Sequence, residues 1–95
     1  MARITRTDRA KYDVLAITEY IAARNPSAAE RWVEELDRIL HVIARQPEMG
    51  ERVDHLSPDV RRHSLGNYLL FYAKIDGGIE LRRILHGARK IEDLL

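Results

Sequence analysis

VRRHSLGNYLLFYAKIDGGIELRRILHGAR, residues 60–89, decides the fold. Gly66-Asn67 divides it between Val60–Leu65 and Tyr68–Ile75, and this pair supplies the positive φ angles that a two-residue hairpin turn requires. Asp76-Gly77-Gly78 does the same before residues 79–86, read here as a three-residue loop with one glycine in the left-handed region. Three strands in an antiparallel meander follow. The middle strand is apolar on both faces, as a strand covered on both sides is. Pairing Leu65 with Tyr68 and Ile75 with Ile79 places Leu69, Phe71, Ala73, Ile75, Ile79, Leu81 and Leu85 on one face, taken as the core side. The other face carries Arg61, His63, Leu65, Tyr68, Leu70, Tyr72, Arg82, Ile84 and His86 and reads as a basic, aromatic surface. Arg62 and Arg83 fall on the core face in this scheme. A β-bulge that re-aims one of them, or snorkelling to the sheet edge, is therefore expected.

Working outward toward the N-terminus, residues 47–59 (PEMGERVDHLSPD) hold two prolines and a glycine with no period, and read as a loop feeding the sheet. Before it, Ser27-Ala28-Ala29-Glu30 has the form of a capping box that opens a helix. Ala29, Trp32, Val33, Leu36, Ile39, Leu40 and Ile43 form its apolar stripe, Glu34 and Arg38 form a four-apart pair, and Pro47 stops it. Ala10, Val14, Ile17 and Ile21 mark one face of an earlier helix over residues 9–24, capped by Thr7 or Asp8 and ended by Asn25-Pro26. Residues 3–5 read as a short edge strand. The expected architecture is α+β: a short N-terminal strand, a helical hairpin laid on the sheet, the three-stranded meander, and a short C-terminal helix or tail over residues 88–95.

Ninety-five residues with 45% hydrophobic content give one domain, residues 1–95. No apolar run approaches a membrane span and the N-terminus lacks the apolar core of a signal peptide, so a soluble cytoplasmic protein is expected. The absence of cysteine excludes disulfides, thiolate metal sites and a cysteine nucleophile. Sixteen Lys and Arg against 15 Asp and Glu leave a formal charge of +1, so no global field points to nucleic acid; the cations of the last third make a local patch instead.

His41, His55, His63 and His86 lack metal-ligand spacing, and His63 and His86 sit on strands that flank the middle one, about 10 Å apart at ~4.8 Å per strand step. No metal and no cofactor is expected, and no phosphate loop or dinucleotide fingerprint is present. Arg61, His63, Tyr72, Arg82 and His86 form the better constellation, since arginine neutralises phosphate and histidine moves protons near neutral pH. An ordinary solvated or partner-binding sheet face accounts for the same residues. Tyr12, Tyr20 and Trp32 fall on or beside apolar helical stripes and read as core rather than as a stacking platform.

The chain resembles the ParE/RelE superfamily of toxins from type II toxin–antitoxin pairs. The resemblance rests on Ala10-x-x-Asp13 and Ile17-x-x-Tyr20-Ile21-Ala22, Pro26-x-Ala28-Ala29, Pro47-x-x-Gly50, Val60-Arg61, Tyr72, and the ending Arg83-Ile84-Leu85-His86-Gly87-Ala88-Arg89. The ending His-Gly-Ala-Arg is similar to the ParE branch, which implies a non-enzymatic DNA gyrase inhibitor. The RelE branch of ribosome-dependent mRNA nucleases carries an arginine three residues before the middle-strand tyrosine, where this chain has Leu69, and a C-terminal tyrosine or histidine that residues 89–95 lack. Target contacts are expected from Arg61, Arg62, Arg82, Arg83, His86, Arg89 and Lys90, with Arg61, Arg82 and His86 as the catalytic set of the nuclease alternative. A remnant that has lost toxicity is the third alternative. The implied partner is a cognate, ParD-like antitoxin, received by an apolar groove beside the helices or by an open sheet edge; no membrane and no small-molecule ligand is implied.

Overall fold

A computed structural model describes residues 2–87. Arg89, Lys90 and the expected C-terminal helix or tail lie outside the described residues. Strand β1 (Arg3–Arg6) leads into helices α1 (Asp8–Ala22) and α2 (Pro26–Arg45). A 3₁₀ turn (Pro47–Met49) follows, then β2 (Glu51–Arg52), β3 (Val60–Leu65), β4 (Tyr68–Ile75) and β5 (Gly78–His86). One five-stranded sheet runs in the order β1-β5-β4-β3-β2, with β1 parallel to β5 and the remaining pairs antiparallel. The α+β order of strand, helical hairpin and meander is the expected one. β2 is an addition: two residues of the expected loop pair with Arg61 and Arg62, too few to leave a periodic signal.

Both helices are fixed by their caps. Thr7 accepts the Ala10 N–H on Oγ1 at 3.0 Å and donates the same hydroxyl to the Arg82 carbonyl at 2.9 Å, so the cap of α1 also ties it to β5. α2 is capped by Asn25, whose Oδ1 accepts the Ala28 N–H at 3.1 Å, with Pro26 in the first turn where its missing donor costs nothing. The capping box expected from Ser27 is thus displaced by two residues, because Asn25-Pro26 is the stronger start signal. Arg38 donates to Glu35 at 2.9 Å instead of pairing with Glu34, three-apart residues being neighbours on a helix as well. Leu36, Ile39, Leu40 and Ile43 are buried along α2 and Ala10 along α1.

The second turn is tighter than expected. Ile75 pairs with Gly78 around Asp76-Gly77, Gly77 taking φ +82°, so the loop has two residues. The register then shifts between Phe71 and Tyr72: Phe71 pairs with Arg83 and Tyr72 with Leu81, leaving Arg82 as the bulged residue. Beyond the bulge the expected pairs Leu70–Ile84 and Tyr68–His86 hold; before it the strands are offset by one. Gly78 is required here, because the backbone of Arg3 in β1 occupies the place of a side chain at that position.

Most of the sheet has its two faces exchanged relative to expectation. The helices cover Leu70, Tyr72 and Ile84, with Leu65 and Tyr68 at the margin, all read as the basic surface, whereas Ile79 and Leu81, before the bulge on β5, are on the helix-covered side as expected. The opposite side buries Phe71 and Leu85 under Val53 and Val60, with Leu56 and Leu69 alongside. A strand apolar on both sides does not say which side the helices take, and the residues that cover the second side come from the stretch read as a loop.

Where β1 ends opposite Leu81, α1 takes over the edge of β5. Asp13, 7% exposed, accepts the Ile84 N–H at 3.0 Å and the Arg83 Nε–H at 2.8 Å. No helix among the described residues is long and apolar enough to cross a membrane.

Candidate functional site

The bulge and the exchanged faces separate the cations expected to act together. Arg61 and Arg82 line one cavity of about 450 Å³ at the end of the sheet, together with Arg52, Lys74, Glu48, Asp54 and Asp59. Arg61 is held there by the backbone: its Nη1 donates to the carbonyls of Glu48 at 3.1 Å and Gly50 at 2.9 Å. Arg82 pairs with Glu80 at 2.8 Å, Lys74 with Glu48 at 3.1 Å and Arg52 with Asp54 at 2.6 Å, so the cavity is lined by compensated charge. Arg62 pairs with Glu51 of β2 at 3.2 Å, and Arg83 is largely buried against Asp13.

His86 lies elsewhere. It is opposite Tyr68, at the other end of β4 from Tyr72, and its ring meets Tyr68 edge-on at 5.5 Å. Four residues of strand put it roughly 13 Å from the level of Arg61 and Arg82. The three residues of the nuclease alternative are not brought into one site. His63 faces its own neighbour, with Nδ1 2.8 Å from the Ser64 carbonyl oxygen. Among the described residues no three His, Asp or Glu side chains converge as metal ligands.

Tyr72 is fully buried. Its hydroxyl donates to the Pro47 carbonyl at 2.8 Å and accepts the Gly50 N–H at 2.9 Å. Burial pushes the phenol above its ordinary value of 10.0, opposed by the Gly50 hydrogen bond and by Arg61. Tyr72 and Arg61 together hold the 47–50 turn against the sheet. The tyrosine is a structural strut, and the aromatic surface expected around it does not exist.

The exposed apolar surface is on the helical hairpin instead. An open groove of about 530 Å³ lies between α1 and α2, lined by Thr18 and Ala22 of α1 and by Pro26, Ala29, Glu30, Val33 and Glu34 of α2. On α1, Tyr12 is 62% exposed, Leu15 57% and Tyr20 51%, and Val33 on α2 is 39% exposed. Tyr12 and Tyr20 are therefore not core residues. The inward face belongs to Ala10, Val14 and Ile17, and the two rings lie outside it under the guanidinium groups of Arg9 and Arg24, at 5.6 and 4.9 Å. Trp32 does pack inward, edge-on to Tyr68 at 5.6 Å. The groove was legible in one respect: small residues at four-residue spacing, Thr18 and Ala22 on α1, Ala29 and Val33 on α2, leave a trough when two helices lie side by side. Chemically, such a trough removes the apolar side of an incoming helix from water.

Comparison with known proteins gives the family and the fold. A family model described as the ParE toxin of the type II toxin-antitoxin system parDE matches residues 4–91. The ParE1 toxins of two Mycobacterium tuberculosis strains are 34% identical over 59 residues, 61% of this chain, and the match spans 60% of their length. Toxin RelE2 of Caulobacter vibrioides is 33% identical over 91 residues, 94% of this chain and 99% of that protein; toxin ParE1 of the same organism is 32% identical over 79 residues, covering 82% and 81%. A solved chain of the chromosomal ParDE TA system from P. aeruginosa superposes with a TM-score of 0.74 at 19% identity, over 90% of this chain and 96% of that one, and so shares the fold.

Proposed function

The chain belongs to the ParE toxin family of type II toxin–antitoxin systems, and from that premise we propose that it is a toxin neutralised by an antitoxin seated on its helical hairpin, with DNA gyrase as its target. The observation that carries the antitoxin half is the groove between α1 and α2, lined largely by apolar side chains that include the exposed Val33. A protein that circulates alone gains nothing from leaving this surface in water; one that is always met by a partner does. An amphipathic helix is the occupant that suits it, because its apolar stripe can cover an open apolar groove between two helices.

The gyrase half is supported by the ParE-like ending and by the dispersal of the nuclease set. Leu69 stands where the RelE branch has an arginine, and His86 is roughly 13 Å along the strand from Arg61 and Arg82. Proton transfer needs hydrogen-bond reach to the reacting atoms. One observation favours the ribosome-dependent nuclease as a second reading: Arg61 and Arg82 do line the same cavity. Arg62 and Arg82, accessible and on the sheet, are the target contacts of the gyrase reading, with Arg89 and Lys90 beyond them in the sequence.

Induced expression separates the two. Growth arrest with broken chromosomal DNA and intact mRNA, relieved by co-expressing the product of the adjoining gene, is the expected result. Intact DNA with cut mRNA moves the target to the ribosome.

A further inference from the structure

Two exposed carboxylates, Glu30 and Glu34, line the helical groove. Glu30 and Glu34 are four apart on α2, so their carboxylates stand one turn above the other on the same edge, where like charges repel. Both are exposed and neither has an ion-pair partner among the described residues, as is also true of Glu19 on α1. The helix dipole does not account for them, since both lie beyond the first turn of α2, where its effect has faded. Both border the trough floored by Ala29 and Val33.

We propose that Glu30 and Glu34 select the antitoxin: the docking segment is an amphipathic helix whose small aliphatic stripe fills the trough and whose edge presents two Lys or Arg residues, four apart, to these carboxylates. The inference rests on the antitoxin-binding reading above and adds to it the chemistry of the partner. The floor of Thr18, Ala22, Ala29 and Val33 is made of small side chains, which lets a helix approach closely and favours aliphatic over aromatic stripes. The trough itself discriminates little between one aliphatic helix and another. A charge pair at its edge discriminates strongly, because a helix with Glu or Asp at the facing positions brings four like charges together.

The test measures binding of the purified toxin to the purified antitoxin encoded by the adjoining gene, at low and high salt. Three variants are compared with the wild type: Glu30→Gln/Glu34→Gln, Glu30→Lys/Glu34→Lys, and Val33→Trp, which fills the trough without altering its charge. The neutral pair is expected to bind about three- to tenfold more weakly, as two partly exposed charge pairs are worth. The reversed pair is expected to lose about thirtyfold or more, chiefly in association rate, with the difference shrinking at high salt. The neutral pair should melt no lower than the wild type in the free toxin, since it relieves repulsion, so its loss of binding cannot be a loss of fold. Unchanged binding of both charge variants with binding abolished by Val33→Trp overturns the selection by Glu30 and Glu34 and leaves the groove as the docking site. Unchanged binding of Val33→Trp, whatever the charge variants do, places the antitoxin elsewhere and overturns both readings.

Discussion

Tyr72 connects the middle of the sheet to the turn after α2, through one donated and one accepted hydrogen bond at a fully buried hydroxyl. Tyr72→Phe strands the Gly50 N–H and the Pro47 carbonyl, which is expected to cost about 1–3 kcal/mol in urea unfolding. The same side chain sets an alkaline limit. Burial raises its folded pKa above the ordinary 10.0, so its contribution is present in full below pH 10 and is lost as pH rises through the folded value. Stability measured from pH 9 upward should fall less steeply in Tyr72→Phe than in the wild type. Tyr68, also raised by burial, supplies the slope that persists. Asp13 is the second such residue. Asp13→Ala removes a buried counter-charge from Arg83 and an acceptor from Ile84 N–H, and is expected to cost about 3 kcal/mol. The sequence named Asp13 only as a position in a pattern, and Tyr72 as a member of the candidate constellation on the basic face. Their roles depend on partners 22 to 71 residues away, which no local spacing encodes.

At the scale of elements, the turns and helices were legible because their signals are local. Gly66-Asn67, Asn25-Pro26 and the α2 stripe each act within a few residues. The cap of α2 shows how two local signals compete, with Asn25 displacing Ser27. Asn25→Ala is expected to destabilise by about 1 kcal/mol while Ser27→Ala, within the first turn, changes little, as thermal melts of the two variants would show. What was not legible was which sheet face the helices cover. β4 is apolar on both sides, and the deciding facts are the one-residue tighter turn at Asp76-Gly77, the bulge at Arg82, and the burial of Val53 and Leu56 on the second side. Alternation carried across an unrecognised bulge puts every residue beyond it on the wrong side.

For the whole molecule, the exchange of faces changes which surfaces are exposed. Sequence reasoning placed the interaction surface on the sheet, with basic and aromatic residues side by side. Tyr72 is instead core, Arg83 is bound to Asp13, and Arg61 is held by backbone carbonyls, while the exposed apolar surface lies on the outer side of the helical hairpin. A groove beside the helices was expected; its position depends on how α1 and α2 lie together, which stripes alone do not give. If the hairpin serves the antitoxin and the sheet-side cations serve the target, Arg62→Glu and Arg82→Glu should weaken toxicity while leaving antitoxin binding unchanged, measured as growth on induction and as complex formation by size-exclusion chromatography.

The most direct test is a gyrase supercoiling assay with the purified toxin, scored for linear plasmid and titrated with the antitoxin of the adjoining gene. A gyrase poison held in check at its helical hairpin accumulates linear plasmid in proportion to free toxin, antitoxin suppresses the cleavage, and the trough-filled Val33→Trp variant cleaves but escapes suppression. Supercoiling that proceeds unchanged at every toxin concentration, with no linear product, contradicts the account and directs the search to translating ribosomes.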